Sequence, residues 1–327
     1  MLASPTNILY LSVSTQNFRI HHRRAFSMSS TPLADLFPGF ATHWIDAEAG
    51  RIFARSGGSG PPLLLLHGYP QTHVQWHKIA TGLAQKFQVI LMDLRGYGAS
   101  FAPPSEAGAF YTKRLMAKDV IDVMRALGHT RFQIAGHDRG GRVSYRLALD
   151  HPECVERVAV LDIVPTAMQW RFMDAEAAMR VYHWMFLAQP APFPETLIGG
   201  APIYYLEHTL KSWSASKSLD FIDPTALAHY HAQFSAPDRV RASCEDYRAG
   251  ATLDRNIDET DLAAGKKLTQ PLLVLWGTRG LPGGSPLDIW QEFATDVQGQ
   301  QIESGHFLPE ENPQATLAAL MAFFTAP

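Results

Sequence analysis

Phe132-Gln133-Ile134-Ala135-Gly136-His137-Asp138-Arg139-Gly140-Gly141-Arg142 decides how the rest of the chain is read. Residues 132–136 have the short apolar character of a buried strand, and from Gly140 to Asp150 the pattern turns helical. Between them, Gly136-His137-Asp138-Arg139-Gly140 fits a G-x-nucleophile-x-G elbow, a sharp strand-to-helix turn that lifts the central side chain clear of the sheet. Glycines on both sides are expected because such a turn brings backbone segments too close for a Cβ. An isolated aspartate ahead of a helix would read as an N-cap. Here the flanking strand, the flanking helix and the partners elsewhere in the chain favour a nucleophile at Asp138.

Outward from the elbow, strands and helices alternate. Thr42–Asp46 and Arg51–Arg55 flank a turn and read as a hairpin, and Pro62–Leu66 is a continuous apolar run typical of a strand covered on both faces. A helical stretch over Val74–Lys86 leads to a strand at Phe87–Met92. Lys113–Leu127 sets Met116, Val120, Met124 and Leu127 on one helical stripe that Gly128 stops. A strand at Val158–Leu161 follows the elbow helix. Beyond Lys267 come a strand at Leu272–Trp276, a helix near Asp288–Ala294, a short strand at Gln300–Ile302 and a closing helix over Pro313–Phe324. Alternation of this kind argues a mostly parallel sheet with helices on both faces. Residues 36–162 and 266–327 are therefore assigned to one α/β core. Residues 163–265, rich in Trp, Tyr, His and Met at helical spacing, are assigned to an inserted helical cap.

Two further loops complete a reactive set. His67-Gly68-Tyr69-Pro70 directly follows the apolar run, so the backbone N–H of Tyr69, with that of Arg139, can form an oxyanion hole. Ser304-Gly305-His306-Phe307 follows the last strand and supplies the base, His306. The segment after Leu272–Trp276 offers no carboxylate until Asp288, whereas Val158–Leu161 ends on Asp162. Asp162 is thus the candidate to orient His306 and stabilise its imidazolium, against the plainer reading of a helix cap opening the insertion.

A carboxylate nucleophile forms an ester with a substrate carbon. Attack at sp³ carbon releases a halide or opens an epoxide, and the triad alone does not choose between them. Arg139 and Arg142 would keep Asp138 ionised and can clamp a substrate carboxylate in bidentate fashion. Such a clamp has no use for a neutral epoxide, although Arg142 also admits a purely structural ion pair.

Several strings together resemble the fluoroacetate (haloacetate) dehalogenases: His67-Gly68-Tyr69-Pro70-Gln71-Thr72, Asp93-Leu94-Arg95-Gly96-Tyr97-Gly98, the Asp138-Arg139-Gly140-Gly141-Arg142 run, Leu161–Thr166, Tyr182-His183-Trp184 and Cys244–Ala249. The resemblance runs from about residue 38 to the C-terminus. It implies an α/β-hydrolase fold with an eight-stranded sheet, and hydrolysis of small 2-haloacids to 2-hydroxyacids through an aspartyl ester. It also implies halide binding by His183, Trp184 and Tyr247, substrate-carboxylate binding by Arg139 and Arg142, and no cofactor or metal. The alternative is an epoxide hydrolase with the same Asp138, His306 and Asp162, using a tyrosine among Tyr182, Tyr204, Tyr205 and Tyr247.

Composition agrees with a globular enzyme. Charged residues make up 18% and apolar residues 46%, and a net charge of −3 leaves no basic surplus for nucleic acid. No apolar run approaches the ~18 residues of a membrane span. Cys154 and Cys244 have neither metal nor redox spacing and read as free thiols. The expected partner is a small-molecule substrate, with a homodimer the one macromolecular association considered. Residues 1–35 stand apart: no acid precedes Asp35, and Arg19, Arg23 and Arg24 lie among serines and threonines. That composition suits a mitochondrial transit peptide or a disordered leader, so the expected location is cytoplasmic, or mitochondrial if the leader acts as an address.

Overall fold

The computed structural model describes residues 33–281 and 285–326; the bulk of the leader lies outside the described residues. Eight strands form one sheet: β1 Ala41–Ala47, β2 Gly50–Gly57, β3 Pro62–Leu66, β4 Gln88–Met92, β5 Phe132–His137, β6 Val155–Leu161, β7 Leu272–Gly277 and β8 Val297–Ile302, in the spatial order β1-β2-β4-β3-β5-β6-β7-β8. β1 and β2 pair antiparallel at one edge, and from β4 to β8 every neighbour is parallel. All residues of β5 and β7 are buried, as expected of central strands covered by helices on both faces. The edge strands β1 and β8 are mostly exposed or half-buried.

Local signals explain the helices. Helix α1, His77–Leu83, is preceded by a 3₁₀ turn at His73–Trp76 whose N-cap is Thr72, so the expected single helix from Val74 is two pieces. Helix α2, Lys113–Ala126, opens with the Thr112 hydroxyl accepting from the Leu115 N–H and buries Met116, Val120 and Met124. Helix α3, Arg139–Asp150, follows β5 directly and is buried along eleven of its residues.

Between β6 and β7 there is no strand. Helices α4 Thr166–Arg171, α5 Ala175–Arg180, α6 His183–Leu187, α7 Phe193–Gly200, α8 Pro202–Trp213, α9 Pro224–Phe234, α10 Pro237–Ala251 and α11 Leu253–Ala263 fill the interval. The chain then returns to the sheet and closes with α12 Leu287–Phe293, α13 Leu308–Glu311 and α14 Pro313–Phe324. At the other end, Asp35 accepts two hydrogen bonds from Arg55 on β2, at 2.6 and 3.0 Å, so the packed chain already includes residue 35. Among the described residues no helix is long and apolar enough to cross a membrane.

Candidate active site

The crossover topology gathers the loops after β3, β5, β6, β7 and β8 at one end of the sheet, the usual place for a ligand in an open α/β sheet. The turn after β5 is as tight as its glycines suggest. A Cβ on Gly136 would lie 2.3 Å from the Gly140 carbonyl oxygen, and one on Gly140 would lie 2.4 Å from the Leu66 carbonyl oxygen. Asp138 sits between them at φ 46°, ψ −113°, a strained conformation for a residue with a side chain. Its Oδ1 accepts a 2.9 Å hydrogen bond from the Tyr69 backbone N–H. The Tyr69 loop is held in turn by Gln75, whose Oε1 accepts from the Gly68 N–H at 3.0 Å.

His306 faces the same carboxylate, its Nε2 3.9 Å from Asp138 Oδ2. That nitrogen is buried and has no hydrogen-bond partner among the described residues. Its Nδ1 lies 2.6 Å from Asp162 Oδ2, and Asp162 Oδ1 accepts from the Gly277 N–H at 3.0 Å. Asp162 has its own strained backbone, φ 54°. Only a glycine fits opposite it, because a Cβ on Gly280 would come within 2.2 Å of its carboxylate. His137 Nε2 lies 2.7 Å from the His306 carbonyl oxygen, and Trp213 packs edge-on against the imidazole at 5.3 Å.

Electrostatics follow from this packing. Burial by itself would raise the Asp138 pKa, but His306, Arg139, His137 and Arg142 outweigh it and hold the carboxyl at about 2. Burial would likewise depress His306; the hydrogen bond and charge of Asp162, with Asp138 adding to them, raise it instead. Burial pushes His183 well below the ordinary histidine value, so its ring is neutral near pH 7.

The two arginines differ. Arg142 lines a cavity of about 120 Å³ together with Asp138, Asp162 and His306. Its Nη1 donates to the Val164 carbonyl at 2.9 Å and to Thr166 Oγ1 at 3.1 Å, and the guanidinium lies 4.5 Å from the Trp184 ring centre. Among the described residues no carboxylate forms a hydrogen bond or ion pair with it. Arg139, expected to share the substrate clamp, is fully buried and turned toward α10: its Nε donates to Asp246 Oδ2 at 3.1 Å and its Nη2 to the Asp246 carbonyl at 2.8 Å. Its Nη1 has no hydrogen-bond partner among the described residues. Asp246 also accepts from Tyr97 Oη at 2.7 Å and from Lys113 Nζ, a buried network absent from the sequence reading.

His183, Trp184 and Tyr247 come together, with Tyr247 5.4 Å from His183 and 5.6 Å from Trp184 between ring centres. His183 Nδ1 and Tyr247 Oη are both buried and without a hydrogen-bond partner among the described residues. Two idle buried polar groups converging beside a carboxylate are costly unless something binds there. His183 and Trp184 line the cavity, whereas Tyr247 and Tyr205 do not, and Tyr182 and Tyr204 are exposed and do not line it either. Residues that motif reading did not single out also line it: Trp213, Gln169, Arg180, Lys217 and Arg279.

The family model for the α/β hydrolase fold matches residues 61–312. The chain belongs to this family. The hydrolase is 40% identical over 295 residues to a fluoroacetate dehalogenase from Burkholderia, covering 89% of the chain and 95% of the relative. It is 32% identical over 288 residues to a soluble epoxide hydrolase from Corynebacterium, with 88% and 94% covered. Among solved structures, an α/β-hydrolase-type protein from Nostoc superposes with a TM-score of 0.85 at 49% identity, over 88% of the hydrolase and 99% of that chain.

Proposed function

We propose that this hydrolase releases halide from small 2-haloacids, haloacetate in the simplest case, through an ester on Asp138. The observation that supports it best is the asymmetry of one carboxylate. Oδ1 is tied to the Tyr69 N–H, while Oδ2 faces the cavity 3.9 Å from His306 Nε2. In the first step Oδ2 attacks the carbon bearing the halogen, a C–O bond forms as the C–X bond breaks, and the halide leaves with the bonding pair. In the second, His306 takes a proton from water and the water attacks the Asp138 carbonyl carbon. The oxyanion is received by the N–H groups of Tyr69 and Arg139, the latter the first residue of α3 and so outside the helix's own bonding. Collapse expels the product oxygen, which takes the proton held by His306, and the second water proton passes from the regenerated Asp138 carboxyl to solvent, returning the carboxylate and freeing the 2-hydroxyacid.

Arg142 supplies the charge to hold the substrate carboxylate in the cavity; Arg139, held by Asp246 and not among the lining residues, helps to keep Asp138 ionised. His183, Trp184 and Tyr247 replace the lost hydration of the departing halide with N–H and O–H donors. In this reading the helical insertion is a cap that keeps the pocket dry. The Corynebacterium relative keeps epoxide opening as the second reading, with the buried phenol oxygens of Tyr247 and Tyr205, unpartnered among the described residues, available to it.

The test is product release from chloroacetate, chloroacetamide and a styrene-type epoxide side by side. Haloacid dehalogenation predicts chloride from chloroacetate above both other activities. Arg142→Leu should lower kcat/KM on chloroacetate about ten- to a hundredfold, the worth of one charge-assisted pair at roughly 1.5–3 kcal/mol, and affect the amide far less. Diol formation without chloride release would establish the epoxide reading instead.

The pH dependence should separate the two steps. With Asp138 at about 2, the single-turnover halide burst should keep its rate down to about pH 3. Ester hydrolysis needs neutral His306, whose pKa Asp162 holds up even after Asp138 is esterified. Steady-state turnover should therefore fall as pH drops through the His306 pKa while the burst persists. A burst with its own acid limb near neutrality would contradict this assignment.

A further inference from the structure

The Asp138 cavity opens past three cationic side chains, Arg180, Lys217 and Arg279. They come from separate elements: the end of α5, the turn after α8 and the loop after β7. Beyond them a larger cavity of about 510 Å³ shares Gln169, Arg180 and Leu281 with the inner one. Its acidic residues are already engaged. Glu176 pairs with Arg180 at 2.8 Å, and Asp174 caps α5 by accepting from the Ala177 N–H at 2.8 Å. Lys217 and Arg279 have no carboxylate partner among the described residues; Lys217 Nζ donates to the Ser212 carbonyl at 2.6 Å and Arg279 Nη1 to the Ala215 carbonyl at 3.3 Å. Among the described residues, Lys217 is also one of four other than glycine with positive φ, at 56°. Asp138 and Asp162, both beside the reacting atoms, are two others.

Two positive sites thus lie in series, Arg142 beside Asp138 and the mouth outside it. A single-carboxylate substrate held by Arg142 leaves Lys217 and Arg279 without an anionic partner among the described residues, whereas Arg180 already has Glu176. We infer that Lys217 and Arg279 form an outer anion subsite that takes a second carboxylate, so that short 2-halo dicarboxylic acids are preferred over monocarboxylic acids of equal length. The inference rests on the haloacid reading for its chemistry, but the subsite can be measured without turnover. The guanidinium fork of Arg279 and the mobile ammonium of Lys217 are suited to such a group at the rim, where Arg142 and Asp138 fix the other end.

Binding of the non-reacting product analogues malate and 2-hydroxybutanoate, followed through the fluorescence of Trp184 and Trp213, tests it directly. At about 0.15 M salt, where long-range attraction is screened beyond about 8 Å, malate should bind at least tenfold tighter. Lys217→Met/Arg279→Met should bring the ratio close to one, and Lys217→Arg/Arg279→Lys, which keeps both charges, should retain most of it. In turnover, 2-bromosuccinate should exceed 2-bromobutanoate in kcat/KM, and the double methionine variant should lose that advantage through KM. Equal binding of the two analogues by the unaltered enzyme, or a malate preference that survives the double methionine variant, overturns the subsite. Malate preference with no bromide released from any haloacid would uphold the subsite and overturn the haloacid reading.

Discussion

Replacing His306 with asparagine should leave the enzyme carrying one carboxymethyl group on Asp138 after exposure to bromoacetate, with steady-state turnover down by about 10⁴-fold. The reason lies in the division of labour at the site. Displacement of halide needs only an ionised, aligned carboxylate, and the charges of His306, Arg139, His137 and Arg142 together keep Asp138 ionised; loss of one still leaves the arginines. Hydrolysis of the ester needs a base beside the water, and His306 Nε2 is the unpartnered nitrogen facing Asp138. Mass spectrometry of the peptide containing residue 138 reads the outcome directly. Asp138→Asn should stay unmodified, because a neutral amide is a poor nucleophile. Asp162→Asn should slow ester hydrolysis more than halide release, since it disturbs only the orientation and charge of His306. An unmodified His306→Asn protein that releases no halide from any haloacid would remove both the nucleophile assignment and the dehalogenase reading.

Asp246→Ala should cost about 3–5 kcal/mol of stability, the effect of removing one partner from a buried ion pair. Asp246 has no exposed surface and receives Arg139, Lys113 and Tyr97 at once. Its loss would leave two buried cations of which only Lys113 keeps a paired carboxylate among the described residues, Asp254 at 3.2 Å. Urea unfolding of the variant measures the loss, and Lys113→Met in the same chain should restore part of it by removing one excess charge. A cost below about 1 kcal/mol would mean that water reaches Arg139 and that the network is not sealed.

Much of this arrangement could be read in the chain because its strongest signals are local. The elbow glycines, the apolar runs of β3 and β7 and the Gly128 helix stop each act over a few residues, and the corresponding elements appear within a residue or two of expectation. Asp162 was legible because it ends a strand and the next strand end offered no acid. The partners of Arg139 were not. Asp246 lies 107 residues away, and nothing in the spacing shows that a buried guanidinium is answered from α10 rather than by substrate. Trp213 against His306 and the cations at the cavity mouth depend equally on how α5 and α8 fold over the sheet. The break between the 3₁₀ turn and α1 arises because Thr72 caps at its own position, ahead of the helical pattern.

The single hydrogen bond from the Tyr69 N–H to Oδ1 has a consequence for the fate of individual oxygen atoms. In the proposed reaction Oδ2 departs inside the product hydroxyl and a solvent oxygen takes its place, while Oδ1 stays with its donor. If that donor prevents the carboxylate from turning over between cycles, the oxygen gained from solvent in one cycle is the one surrendered in the next. In isotopically heavy water the first product would then be unlabelled and the second fully labelled. A freely turning carboxylate would instead spread the label evenly over its two positions and dilute the second product by half. Under that constraint each product would carry the oxygen of the water consumed one cycle earlier, and Tyr69 would set which atom of a symmetric group is next to leave.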